Sequence, residues 1–437
     1  MFATLSLAAA FEFTPTTAHR IDAIVETEIH ARRTPGIAVG VVASGRLVYA
    51  RGFGEASLSR RTPVSPGTQF GIGQISEQFT AAAILLLEQD GKLKLDDPVT
   101  RFMPDLTVAR LVTIRELLDQ TSGLPAVSNW AHLVAAANAA RPLAPPGTVY
   151  AENPLNYLVA GRIVERASGV PLSDFLQQHI FLPLVMDGSF FAGDTGISPT
   201  HAVGYTVGRS EFVRTQPWSA TRLGGDAGVV SNIYDLAKWD IEFPLLLRVD
   251  AVREMFTPGL PGSFERHGMG WNIDQRGGRR FVWQNGEIPG YHAMNAVLPD
   301  DHIAVIVLTN ADSLHGSAVL PESVAGRILD TLLPPSAQHV DNGVLSRARE
   351  WLERLASGRI DRTQLTPSFS AYLSDRVVHD AGIAALGRVI SMVPVSSMPS
   401  ANGGTTYEFL VLFKKGERHY RFAVTTDGKI DFLSFTP

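Results

Sequence analysis

Ile303 to Leu308 is an unbroken apolar run, Ile-Ala-Val-Ile-Val-Leu, with no polar residue at alternate positions. A run of this kind reads as a strand buried on both faces, so the chain must supply cover for two sides of a sheet. Segments 269–274, 280–284 and 292–298 read as further strands. Ile37 to Val42 and Leu47 to Ala50 read as a strand pair joined at Ser44-Gly45. Helical periodicity supplies the cover. Residues 18–33 place Ile21, Ile24, Val25 and Ile29 on one face, and Pro35-Gly36 breaks the pattern. Ser76 to Gln89 sets Phe79, Ala82, Ala83, Leu86 and Leu87 at core spacing before Gly91 stops it. Residues 114–119 and 155–168 read as helices, and Asn232 as the N-cap of a helix holding Leu236 and Trp239.

The chain has 437 residues, 45% hydrophobic and 19% charged, which is a globular composition of two or three domains. Leu333-Pro334-Pro335-Ser336 reads as a linker. Beyond it, Val344 to Leu355 is helical. Tyr407 to Phe413, Arg418 to Thr425 and Lys429 to Phe435 read as strands with turns at Lys415-Gly416 and Asp427-Gly428. The expected division is an N-terminal extension at 1–17, a main domain at 18–333 and a small α+β domain at 340–437. Met1 to Ala10 is apolar and ends in small residues like a signal-sequence stub, without a basic n-region.

The absence of Cys excludes disulfides, thiolate metal sites and a Cys nucleophile. A formal net charge of -5 argues against nucleic acid as a partner. No segment reaches the roughly 20 apolar residues of a spanning helix. The His residues show no ligand spacing, so neither metal nor cofactor is expected. Gly71-x-Gly73 lacks a third Gly at dinucleotide spacing and reads as a backbone requirement only. Lys is confined to Lys92, Lys94, Lys238, Lys414, Lys415 and Lys429.

Eight segments occur in one order: Thr34-Pro35-Gly36, "FGIGQISEQFTAAAILLLEQDGKLKLDDPV" at 70–99, "TIRELLDQTSGLP" at 113–125, "PPGTVYAENPLNYLVAGRIVERASG" at 145–169, "FLPLVMDGSFF" at 181–191, "GDAGVVSNIYDLAKWD" at 225–240, "GMGWNI" at 268–273 and "GEIPGYHAMNAVLP" at 286–299. Together they resemble the serine β-lactamase and penicillin-binding protein family, in its class C and esterase-like branch. The resemblance implies an α+β fold of the β-lactamase/transpeptidase type: an antiparallel sheet flanked by helices, a helical lobe, and a ligand cleft between the lobes. It also implies an extracytoplasmic location. The tail at 340–437 is similar to the NTF2-like appendage of some members.

The family's acyl transfer needs a Ser and, one helical turn later on the same face, a Lys that takes its proton. At those positions stand Gln74 and Glu77. No Ser in the chain precedes a Lys by three residues. The family's Tyr-x-Asn aligns with Glu152, Asn153 and Pro154, and Tyr150 falls where the family has a buried aromatic. The His-x-Gly or Lys-Thr-Gly motif reads Gln284-Asn285-Gly286. His292 follows the Pro289-Gly290 turn near the implied pocket. Ser122 matches a family turn and reads as structural.

Three functions follow from this pattern. One is a non-hydrolytic protein that binds a small molecule in the cleft through Gln74, Tyr150, Asn153, Gln284, Asn285, Gly286 and His292. Another is an enzyme of altered chemistry using Glu77 and Glu152 as an acid–base pair, since two carboxyls in one cleft titrate apart. The third is a serine hydrolase whose nucleophile lies elsewhere, against which the scarcity of Lys counts.

Overall fold

The computed structural model describes residues 13–31, 33–127, 132–192, 201–208, 211–216, 224–260, 266–312, 320–333, 340–374, 383–400 and 404–436. Most of the N-terminal extension and all but Leu333 of the linker lie outside the described residues. The chain divides into two compact units, Met1–Asp274 with Arg280–Leu332, and Gln275–Arg279 with Leu333–Pro437.

The first unit is organised by α1 (Pro15–His30), β1 (Gly36–Ala43), β2 (Arg46–Ser57), α2 (Ser76–Gln89), α3 (Ile114–Leu118), α4 (Pro154–Ser168), α5 (Ile233–Leu246), β3 (Asn272–Arg276), β4 (Arg279–Ile288), β5 (Tyr291–Leu298), β6 (Ile303–Thr309) and α6 (Pro321–Leu332). Its central sheet runs Thr62–Pro63, β2, β1, β6, β5, β4, β3. The pairings β2–β1–β6–β5–β4 are antiparallel, with Val39 opposite Val307, Met294 opposite Val307 and Gln284 opposite Asn295. Every residue of β1 and β6 is buried, as the unbroken apolar run required. Cover comes from α1 and α6, which pack on each other and on the sheet, and from α5, which packs on β1, β2 and β6. A Cβ on Gly40 of β1 would lie 2.5 Å from Ile233 Cγ2, so the glycine lets α5 dock closely. The turn at Ser44-Gly45 carries positive φ at both residues (51° and 69°), the geometry of a tight hairpin.

One expectation changes. The spacing of Ser76 to Gln89 predicts a one-sided helix, yet 11 of the 14 residues of α2 are buried. A helix apolar nearly all round belongs inside a protein, and Phe79 lies 4.2 Å from the Trp239 ring. Its polar residues are paired internally. Ser76 Oγ accepts the Val229 N–H at 3.0 Å, and Thr80 Oγ1 donates to Gly225 O at 2.7 Å.

The second unit contains α7 (Asn342–Ser357) and a sheet in the order β7 (Val389–Pro399), β8 (Thr405–Phe413), β9 (Gly416–Val424), β10 (Ile430–Thr436). All its pairings are antiparallel. The sequence reading holds three of these strands and misses β7. That strand carries Pro394, Pro399 and two register shifts, features that argue against a strand in isolation. It is tolerated because β7 is an edge strand.

Candidate functional site

The turn before α2 and the strand β4 approach each other through bare backbone. Gly73 has φ 53°, and a Cβ on it would lie 2.7 Å from Glu287 N. A Cβ on Gly286 would lie 1.9 Å from Ile72 O. Gly286 is therefore a spacer that allows close contact. Gln74 sits in this turn, half-buried, and its Oε1 accepts the Glu287 backbone N–H at 2.8 Å.

Three residues further on, Glu77 is 1% exposed. Gln120 Nε2 donates to its Oε1 at 3.4 Å and Gln284 Nε2 to its Oε2 at 3.3 Å. The orientation of each amide is fixed by its other end. Gln120 Oε1 accepts the Asn153 backbone N–H at 3.0 Å and Asn156 Nδ2 at 2.6 Å. Gln284 Oε1 accepts Asn272 Nδ2 at 2.7 Å. The Asn272 Oδ1 then faces His267 Nδ1 at 3.4 Å, which places the imidazole proton on Nδ1. A directional chain of hydrogen bonds thus runs inward to Glu77 from both sides.

Electrostatics push the centre toward neutrality. Burial raises the Glu77 carboxyl well above its ordinary range, and the nearby charges of Glu152 and Asp226 reinforce this, while Gln120 opposes it. Burial likewise lifts Asp226 to about 7 against the backbone N–H groups of Asp226, Gly224 and Ala227. His267 is pushed down to about 4 by burial, so it is neutral at physiological pH. Among the described residues no group of three His, Asp or Glu could hold a metal ion.

Several expected site residues have other occupations. Asn153 is the N-cap of α4: its Oδ1 accepts Leu155 N, and its Nδ2 donates to Leu124 O and Pro125 O. Glu152, one residue earlier, is exposed. Tyr150 is only half-buried, not core, with its ring 5.5 Å from that of His267. Asn285 and His292 are not with Glu77. Successive strand residues point to opposite faces, so Gln284 faces α2 while Asn285 faces α6. There Asn285 Nδ2 and His292 Nε2 each meet Glu322 Oε1 at 2.8 Å. Arg51 pairs with Asp22 at 2.6 Å, away from the Glu77 cluster's hydrogen-bond partners. Sequence reasoning missed Gln120, Asn156, Asp226, His267 and Asn272. Only Gln120 carried a local signal, an amide following the Ile114–Leu118 helix just before Thr121-Ser122-Gly123.

As chemistry, the cluster offers amide donors and acceptors around a buried carboxyl. The D-aminopeptidase of Cereibacter sphaeroides is 30% identical over 313 residues, covering 65% of this chain and 59% of that protein's own length. The D-amino acid amidase of Ochrobactrum anthropi SV3, solved with D-phenylalanine, superposes with a TM-score of 0.62 at 23% identity, covering 72% of this chain and 99% of that one. The octameric penicillin-binding protein homologue of Pyrococcus abyssi superposes with a TM-score of 0.64 at 22% identity, over 94% of this chain and 97% of its own. These superpositions establish the β-lactamase/transpeptidase-like fold. Residues 21–325 match the Beta-lactamase family profile, and the chain belongs to that family.

Proposed function

We propose that this chain is a non-acylating member of its family, whose cleft between the lobes holds a neutral or cationic small molecule reversibly. The observation that carries this reading is Gln74. It occupies the place of the family's nucleophile, and its amide is already hydrogen-bonded to the Glu287 N–H. An amide side chain cannot form the acyl-enzyme that a Ser would. The acids Glu77, Glu152 and Asp226 favour a ligand bearing an amine. The D-aminopeptidase and the D-amino acid amidase, by their names, also handle molecules with amino groups. The reading includes an extracytoplasmic location, in keeping with the family. Among the described residues no helix is long and apolar enough to cross a membrane. It also includes an NTF2-like tail, supported by α7 beside a four-stranded antiparallel sheet.

A second reading retains catalysis. Glu77, buried and held toward its neutral form, would donate a proton while the exposed Glu152 accepts one. One experiment separates the two. The chain is incubated with a β-lactam and with D-phenylalanine amide, followed by intact mass and product analysis, and the amide, N-acetyl amide and N-acetyl acid are titrated by calorimetry. The expected outcome is no adduct, no hydrolysis, and tightest binding of the cationic amide. A stoichiometric adduct on any Ser, or tightest binding of the acid, overturns the proposal. Hydrolysis lost in both Glu77→Gln and Glu152→Gln selects the catalytic reading.

A further inference from the structure

We infer that a second small-molecule site lies beside Asp119, separate from the Glu77 cluster, and that it takes an organic cation bearing N–H donors, such as a primary ammonium. Asp119 is the C-cap of α3, where the helix presents its negative end. Its side chain is 3% exposed, and its Oδ1 has no hydrogen-bond partner. An acid in that position destabilises the fold through burial, lack of a partner and the adjacent helix terminus at once. Arg115, one turn earlier, does not reach it: its guanidinium is taken by Asp96 and Glu254. Burial pushes the Asp119 carboxyl up to about 7; Arg115 opposes the shift, and Glu254 and Glu116 add to it.

Asp119 lines a cavity of about 410 Å³ together with Asp250, Glu254, Pro258, Gly259 and Met269. That volume falls within the range of small-molecule sites. Arg115 and Arg253 line it too, but Arg115 is committed and Arg253 is exposed. A Cβ on Gly259 would lie 2.5 Å from Asp119 Oδ2, so only a glycine lets the backbone pack this closely against that edge of the carboxyl. Among the described residues no three acids or histidines are placed to hold a metal ion, which favours an organic cation. Met269 and Pro258 supply apolar wall for its carbon skeleton.

An occupant would also lie against residues next in sequence to the first site's supports. Gln120, whose amide holds Glu77, directly follows Asp119. Met269 precedes Gly270, and a Cβ on Gly270 would lie 2.8 Å from Gln78 N and 2.9 Å from Glu77 C. The two sites therefore share backbone.

The test uses the full chain and benzylammonium as the probe, titrated by calorimetry against benzyltrimethylammonium, which has the same ring and charge but no N–H. Asp119→Asn removes an unpartnered acid, so it should melt no lower than the parent and report binding on a folded protein. The expected result is a saturable binding event that survives Glu77→Gln and weakens at least tenfold in Asp119→Asn and with the trimethyl probe. Equal binding by Asp119→Asn overturns the inference, as does loss confined to Glu77→Gln or no saturation at millimolar probe. Because Glu77→Gln alters the first site only, failure here leaves the proposed function separately testable.

Discussion

Strands β4 and β5 carry two polar clusters on opposite faces, built from neighbouring residues and opposite in character. On the α2 side, Gln284 and its partners surround Glu77 with neutral amides, and burial drives the carboxyl toward its protonated form. On the α6 side, Asn285 and His292 converge on Glu322. Burial opposes charge on both members of that pair. Their mutual attraction outweighs it, raising His292 and lowering Glu322. Removal from water thus gives an ion pair where a base is present and an acid without a basic partner where none is. The first arrangement holds elements together; the second leaves a buried acid with no base to compensate it.

The sharpest way to break the comparison is Glu322→Ala. Removing one partner from a buried pair leaves the other stranded, and a loss of about 3–5 kcal/mol is expected in urea unfolding at pH 6. If the loss is below about 1 kcal/mol, the α6 cluster is not an ion pair of this kind.

Acidity should separate the faces next. Asp226 has a raised folded value of about 7. Its burden is therefore absent below the ordinary carboxyl range and grows as pH rises toward 7. Lifting a carboxyl from 3.8 to about 7 costs roughly 4 kcal/mol once both states are ionised, so Asp226→Asn should gain about 2–4 kcal/mol at pH 8 and little at pH 4.5. The His292–Glu322 pair behaves otherwise. The His contribution is full below about 6.5 and fades as pH rises through its raised value; the Glu contribution is present above about 4.5 and fades below it. Unfolding curves of Asp226→Asn and the parent from pH 4.5 to 8.5 check this, and parallel curves would contradict it.

The smallest expected effect is Gln74→Ala, which frees the Glu287 N–H and should cost about 1 kcal/mol. Thermal unfolding detects it. A gain in stability would show that the amide is strained in its place.

The fold was readable because its signals are local. Ile303–Leu308, the Ser44-Gly45 turn and the Asn232 cap each declare an element without reference to the rest of the chain. The main sheet, its helices and the positions of Gln74, Glu77 and Gln284 followed from segments that keep family order. The partners of Glu77 did not. Gln120 and Gln284 lie 43 and 207 residues away from it, and no pattern states which amide end faces inward. Strand alternation could have separated Asn285 from Gln284, but the motif groups them by adjacency and hides the face. In the tail, Pro394 and Pro399 concealed β7 because edge position is a tertiary property.

Gln74 makes the protein its own competitor. A carbonyl ligand approaching β4 finds the Glu287 N–H already occupied by a tethered amide oxygen, present at every ligand concentration and impossible to dilute away. Displacing it costs about 1 kcal/mol, which weakens such a ligand roughly fivefold. A cation needs no such donor and meets no such rival. On the proposed function, selectivity between the two classes is set by what the site has withdrawn as much as by what it offers.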